Sequence, residues 1–154
     1  MRQYAANEDA TERLGRACVG LLTPGRRVFV SGDLGAGKTT LIRGMLGGLG
    51  HRGAVTSPTY TLVETYSLSG LTVFHLDLYR IDDPDELEFI GFRDMLGEHS
   101  LCLIEWPERA VDRLPAADMT IAIEFAGQGR MVTFESRHDV DWAQYGLGEP
   151  DGSD

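Results

Sequence analysis

Val28-Phe29-Val30-Ser31-Gly32-Asp33-Leu34-Gly35-Ala36-Gly37-Lys38-Thr39 is the stretch that decides the fold. Three apolar residues lead straight into a glycine-rich loop, which reads as a buried strand delivering the chain to a tight turn. From Lys38 to Leu49 the residues Leu41, Ile42, Met45, Leu46 and Leu49 recur at helical spacing, and Gly50 ends the run. Between strand and helix, Gly32 to Thr39 fills every fixed position of G-x-x-x-x-G-K-[ST]. Glycines at 32, 35 and 37 let backbone N–H groups close around phosphate oxygens, and the N-terminus of the next helix adds partial positive charge. Lys38 can reach β and γ phosphates, and the Thr39 hydroxyl is placed to coordinate Mg2+. A chance glycine turn can match eight residues, but it does not bring a strand before it and an amphipathic helix after it. The expectation is a site for a nucleoside triphosphate with Mg2+.

Outward from this loop, Thr11 to Leu22 reads as an amphipathic helix carrying Leu14, Cys18, Leu21 and Leu22, ended by Pro24-Gly25. Tyr60 to Tyr66 alternates loosely, as an edge strand does. Leu71 to Asp77 and Leu101 to Glu105 read as further core strands, each ending in an acid. Asp82-Asp83-Pro84 caps a short helical stretch through Ile90. Met119 to Phe125 and Met131 to Glu135 alternate around Gly127-Gln128-Gly129, a hairpin signature. Helices and strands interleave early and the end is strand-only. That pattern predicts an α/β, P-loop NTPase-like three-layer sandwich with a mixed sheet, a parallel core and antiparallel additions. Residues 1–135 are expected to form the P-loop domain and 136–154 a C-terminal extension. The last stretch, Glu149 to Asp154, is too polar to pack and is expected to be disordered.

In open α/β sheets, ligands sit beyond the carboxyl ends of the strands. Mg2+ there often takes a second contact from a strand-end acid. Both Glu105 and Asp77 qualify. Glu105 follows the uniformly apolar Leu101-Cys102-Leu103-Ile104, and this favours it as the metal ligand. Asp77 then orients the attacking water or links to a moving loop. The alternative for either is a solvated strand-end carboxylate. Lys38, Asp77 and Glu105 are therefore the candidate catalytic residues. Ser57-Pro58-Thr59 is either a loop that senses the γ phosphate or an ordinary hydroxyl turn. Arg80 either neutralises transition-state charge or, more simply, pairs with Asp82. Trp106 reads first as packing. His51, His75, His99 and His138 are scattered and read as structural.

Several classes are disfavoured. Asn7 is the sole asparagine and precedes the loop, so the guanine-reading N-K-x-D motif is impossible. The D-x-x-G switch signature is also missing, which leaves ATP as the expected nucleotide. Arginines after Thr39 form no tight cluster of the kind a kinase lid uses. A net charge of −10 weighs against unaided grip on nucleic acid. No apolar run is long enough to span a bilayer and the first residues lack the apolar core of a secretory signal, so a cytoplasmic protein is expected. Cys18 and Cys102 have no metal or CxxC spacing and read as free thiols.

Four blocks, taken together and in order, resemble the TsaE (YjeE) family: Gly32 to Thr40, Ser57-Pro58-Thr59-Tyr60, His75-Leu76-Asp77-Leu78-Tyr79-Arg80, and Ile104-Glu105-Trp106-Pro107-Glu108. The resemblance runs over roughly residues 8 to 135. It implies an ATPase of bacterial tRNA modification that works with TsaB and TsaD to install N6-threonylcarbamoyladenosine, meeting tRNA only through that complex. It further implies that Gly35, Ala36, Gly37, Lys38, Thr39 and Thr40 hold the phosphates, and that Thr39 and Glu105 are Mg2+ ligands. Ser57-Pro58-Thr59 and Asp77-Tyr79-Arg80 become switch-like, and Trp106 joins the functional set. Thr11 matches a position near the adenine and Arg130 another near the nucleotide. Two other functions stay open on the residues alone: a small-molecule or nucleoside kinase, and a nucleotide sensor that does not hydrolyse.

Overall fold

The computed structural model describes residues 1–148, so the expected disorder of Glu149 to Asp154 lies outside the described residues. Ten main elements follow one another as β1 (Arg2–Ala5), α1 (Glu8–Ala17), β2 (Arg27–Gly32), α2 (Lys38–Gly48), β3 (Val63–Leu68), β4 (Leu71–Asp77), α3 (Glu86–Phe89), β5 (Ser100–Glu105), β6 (Met119–Ala126) and β7 (Gly129–Ser136), with single helical turns between them. The strands form one sheet in the order β1-β7-β6-β2-β5-β4-β3. The four inner strands, β6, β2, β5 and β4, are parallel. Antiparallel β7 and β1 extend one edge, and antiparallel β3 closes the other. This is the mixed α/β sheet with a parallel core that the element order predicts.

Alternation along the strands sorts side chains onto two faces. Val73 of β4 and Leu101 and Leu103 of β5 face α2, where they join Leu41, Ile42, Met45 and Leu46 in the larger core. Leu76, Cys102 and Ile104 face the other way and pack with Leu87, Phe92 and Met95 from the short helical segments. Each fully buried Leu or Ile contributes roughly 1.5–3 kcal/mol of transfer free energy. Odd-numbered positions of β4 and β5 therefore share the α2 face, a parity that carries Asp77 and Glu105 to the same side of the sheet.

The first helix begins earlier than its apolar pattern predicts. Asn7 caps it, its Oδ1 accepting from the Ala10 N–H at 2.8 Å, with Glu8 and Asp9 in the first turn. Such a cap contributes about 1 kcal/mol. α1 then lies backbone-close on α2. A Cβ at Gly15 would stand 2.0 Å from the Leu41 carbonyl oxygen, and one at Gly44 would stand 2.0 Å from that of Glu12. The missing side chains allow this approach, and it brings Thr11 beside the glycine loop. β1 has no sequence signature: of its four residues only Ala5 is buried. It is held by antiparallel pairing to β7 instead. β3 starts at Val63 rather than Tyr60, because the chain first turns through Leu62 at φ 65°.

Beyond β7 the chain returns to the same core. Leu147 is buried, Trp142 and Tyr145 pack against it, and the Gly148 N–H donates to Gln3 at 3.1 Å. Cys18 and Cys102 are free and buried, and burial pushes their thiols up to about 12 and about 11. Among the described residues no helix is long and apolar enough to cross a membrane.

Candidate functional site

The loop after β2 and the carboxyl ends of β4 and β5 enclose a cleft of about 450 Å3, with Lys38, Thr39, Asp77, Arg80, Glu105 and Trp106 on its walls. Gly37 at φ 108° caps α2, a backbone conformation that a side chain would oppose. From there the first turn of α2 presents Lys38 and Thr39. Lys38 is 5% exposed, and its Nζ donates to the carbonyls of Gly32 at 2.6 Å and Asp33 at 2.8 Å. The same ammonium lies 4.4 Å from the centre of the Trp106 ring, a cation–π distance. Burial lowers the Lys38 pKa below its usual range, while Glu105 and Asp77 pull it back up.

The two strand-end acids, paired in register across β4 and β5, do different work. Glu105 receives the Thr39 hydroxyl at 3.2 and 3.3 Å. Asp77 turns instead to the loop before β3: one oxygen accepts from Ser57 at 3.0 Å and Thr59 at 3.1 Å, the other from the Tyr79 N–H at 3.0 Å. Of the two acids, Glu105 is therefore beside the P-loop hydroxyl and Asp77 is the clasp of the hydroxyl loop. Among the described residues no group of three or more His, Cys, Asp or Glu is arranged to hold a metal ion. Thr39 and Glu105 offer oxygens alone. That set suits Mg2+, which takes one or two protein ligands and fills its shell with water and phosphate oxygens.

A second cavity of about 300 Å3 shares Gly35, Gly37 and Thr40 with the first and adds Ala36, Thr11 and Arg130. Arg130 is placed by the turn after β6. Its Nε donates to the Ala36 carbonyl at 2.9 Å, and one terminal nitrogen reaches Gly35 at 3.4 Å. The guanidinium thus holds the Gly35 and Ala36 carbonyls of the loop. Phe125 carries it at 4.4 Å. Thr11 is buried and spends its hydroxyl on the Asn7 carbonyl at 3.3 Å. Thr40 donates to Glu8 at 3.3 Å and so ties α2 to the start of α1.

The sequence model of the family described as "Threonylcarbamoyl adenosine biosynthesis protein TsaE" matches residues 5–132. The chain belongs to the TsaE family. A TsaE from Haemophilus influenzae, named a tRNA threonylcarbamoyladenosine biosynthesis protein, is 46% identical over 137 residues, covering 86% of this chain and 87% of that protein. The Bacillus subtilis protein of the same name is 35% identical over 135 residues, covering 87% of this chain and 84% of the relative. In three dimensions the chain is similar to a structure titled "Crystal structure of Bacillus subtilus YdiB". The TM-score is 0.73 and the identity 28%, over 95% of this chain and 88% of that one. TsaE membership and this P-loop fold point to nucleotide binding.

Two readings of individual residues change. His75 is not an isolated structural histidine. It is fully buried, and its Nε2 lies 2.6 Å from Oε2 of Glu105. Strand parity could have found it, since residues 75, 77 and 105 share the α2 face. Arg80 makes no ion pair with Asp82 among the described residues. It stacks on Tyr60 at 4.3 Å and donates to the Tyr60 hydroxyl at 3.4 Å. No local spacing signals that contact, which bridges 20 residues. Trp106 stands at φ 57°, a strained backbone for a non-glycine residue, with its ring 4.9 Å from that of Tyr79.

Proposed function

We propose that this TsaE-family chain is the ATPase component of the machinery that forms N6-threonylcarbamoyladenosine in tRNA, and that hydrolysis of Mg-ATP supports turnover of a TsaB–TsaD complex. One observation carries the chemical half of the reading: the Thr39 hydroxyl and the Glu105 carboxylate meet beside the P-loop at 3.2 Å. Loop N–H groups from Gly35 to Thr40 cradle the phosphates, and Lys38 exchanges its two carbonyl partners for phosphate oxygens. Thr11 and Arg130 border the side of the loop that takes the nucleoside. Thr39 and Glu105 hold Mg2+, which when bound neutralises charge developing on the γ phosphate and the leaving β phosphate. Water attacks the γ phosphorus, the bond to the β-bridging oxygen breaks, and ADP and phosphate leave. Asp77 keeps the Ser57–Thr59 loop at the γ-phosphate side, so loop position and hydrolysis are linked through one carboxylate.

The net charge of −10 supports assigning the tRNA contact to the partners. Cytoplasmic work fits two buried free thiols. The test is ATP turnover with and without TsaB and TsaD. Slow release of inorganic phosphate that accelerates on adding both partners is expected. Lys38→Ala should abolish the acceleration and stop threonylcarbamoyl-tRNA formation after the first rounds. A phosphorylated acceptor in place of free phosphate would turn the reading to a kinase. ATP binding without phosphate release, partners present, would turn it to a sensor.

A further inference from the structure

His75 stands where the sheet calls for an apolar residue. Its neighbours on the α2-facing side of β4 and β5 are Val73, Leu101 and Leu103, all fully buried and all hydrocarbon. An imidazole there gives up packing that Leu or Val would supply. It also leaves a polar atom stranded: Nδ1 of His75 is buried with no hydrogen-bond partner among the described residues. An unpaired buried polar group costs about 1–3 kcal/mol. The large majority of buried polar side-chain atoms find a partner, and an exception calls for an explanation. This histidine satisfies only Nε2, and it does so on Glu105.

Geometry explains why that one bond matters. Glu105 is 2% exposed at the end of β5, so solvent does little to fix its carboxylate. Two donors hold it instead, Thr39 Oγ1 from the P-loop side and His75 Nε2 from within the sheet. A carboxylate only accepts, so the His75 proton in this bond sits on Nε2. Thr39 is a proposed metal ligand and must turn its oxygen lone pairs toward the ion. The Thr39 hydroxyl therefore serves both ion and carboxylate, whereas His75 is locked in a full core and its Nε2 serves Glu105.

We propose that His75 is a positioning residue: its Nε2–H clamps one oxygen of Glu105 so that the other is aimed at the metal beside Thr39. The proposal rests on the Mg-ATP reading above. Partners that orient metal ligands in this way are worth roughly tenfold to a hundredfold in metal affinity.

Three substitutions separate the clamp from mere core filling. His75→Gln keeps an N–H donor at the ε position. His75→Asn moves the amide to the δ position, out of reach of Glu105, and His75→Leu fills the space without a donor. Full-length proteins are saturated with a non-hydrolysable ATP analogue and titrated with Mn2+, followed by electron paramagnetic resonance. Metal-free analogue affinity and the melting temperature are measured alongside. The expected result is Mn2+ affinity weakened roughly tenfold or more in His75→Asn and His75→Leu but largely retained in His75→Gln, with metal-free analogue affinity unchanged in all three. Should the Leu variant not fold, the Gln and Asn pair still decides the matter. Losses that follow the melting temperature instead of the ε donor would overturn the clamp. Glu105→Ala is run in parallel. If it weakens Mn2+ binding while His75→Asn does not, the clamp fails and the metal reading stands; if Glu105→Ala leaves Mn2+ affinity intact, the metal reading fails and takes the clamp with it.

Discussion

At the carboxyl end of β5, Glu105 meets His75 at 2.6 Å, with both side chains almost wholly buried. At the opposite end of the parallel strands, Asp118 meets His138 at 3.0 Å just before β6, and that histidine is 43% exposed. The same two chemical groups are used to different ends. Around Asp118 the bonds join separate segments. One carboxylate oxygen accepts the Arg27 N–H at 2.9 Å, and the residue's own N–H donates to the Arg27 carbonyl at 2.9 Å. The Arg137 N–H donates to its carbonyl, also at 2.9 Å. The side chain and the backbone N–H and carbonyl of one residue thus tie together the starts of β2 and β6 and the end of β7. Around Glu105 the donors are a P-loop hydroxyl and an imidazole with a stranded nitrogen. The lower pair distributes its contacts to hold strands. The upper pair accepts a cost in polar satisfaction and holds a single carboxylate.

Sharpest among the consequences is Glu105→Ala. Phosphate release should fall by about a hundredfold or more, equivalent to about 3 kcal/mol in the barrier, with little change in metal-free nucleotide affinity. Thermal melting should move far less than activity does. Asp77→Ala should disturb coupling to the Ser57–Thr59 loop more than metal affinity; a larger metal defect there than in Glu105→Ala would exchange the roles of the two acids. Next in size is Asp118→Ala, which removes a partly buried acceptor from the Arg27 N–H. A loss of roughly 1–3 kcal/mol in unfolding free energy is expected, with turnover per folded molecule unchanged. Reduced turnover at full folding would erase the contrast between the two ends.

Acid should expose the same contact. Burial alone raises the Asp118 pKa, but the His138 hydrogen bond and the Arg27 N–H hold it below the usual carboxylate value. A lowered folded-state pKa stabilises above the unfolded-state value of about 3.9 and is lost as pH falls through the folded one. The stability advantage of the wild type over Asp118→Asn should therefore be complete at neutral pH and shrink below about pH 4. Smallest is His138→Ala, which opens a half-exposed pair and should cost under about 1 kcal/mol in denaturant unfolding.

Much of this is legible in the sequence. The strand, glycine loop and helix from Val28 to Leu49 each carry a strong local signal, and the strand-end acids follow from four apolar residues ending in Glu105. Other features depend on relations that local spacing does not encode. β1 is made by backbone pairing to β7, a partner about 130 residues away, so its side chains need no pattern. The first turn of α1 is polar, so apolar periodicity begins at Leu14 while the cap at Asn7 sets the true start. The scatter of the histidines along the chain does not reveal His75, because its partner lies across the sheet at a diagonal from its register mate Leu103. The return of Leu147, with Trp142 and Tyr145, to the core rests on apolar residues scattered through a polar stretch at no regular spacing.

Trp106 has an optical consequence. Its indole stands 4.4 Å from the Lys38 ammonium and 4.9 Å from the Tyr79 ring, whereas the chain's second indole, Trp142, lies 5.9 Å from Phe134 and packs on the main core. A nearby cation perturbs indole emission, so the proposed transfer of Lys38 to phosphate should change the light that Trp106 emits. With Trp142 replaced by Phe, the protein becomes its own fluorophore-labelled reporter. The colour and intensity of one side chain then time the handover of a single ammonium, without a dye and without a partner.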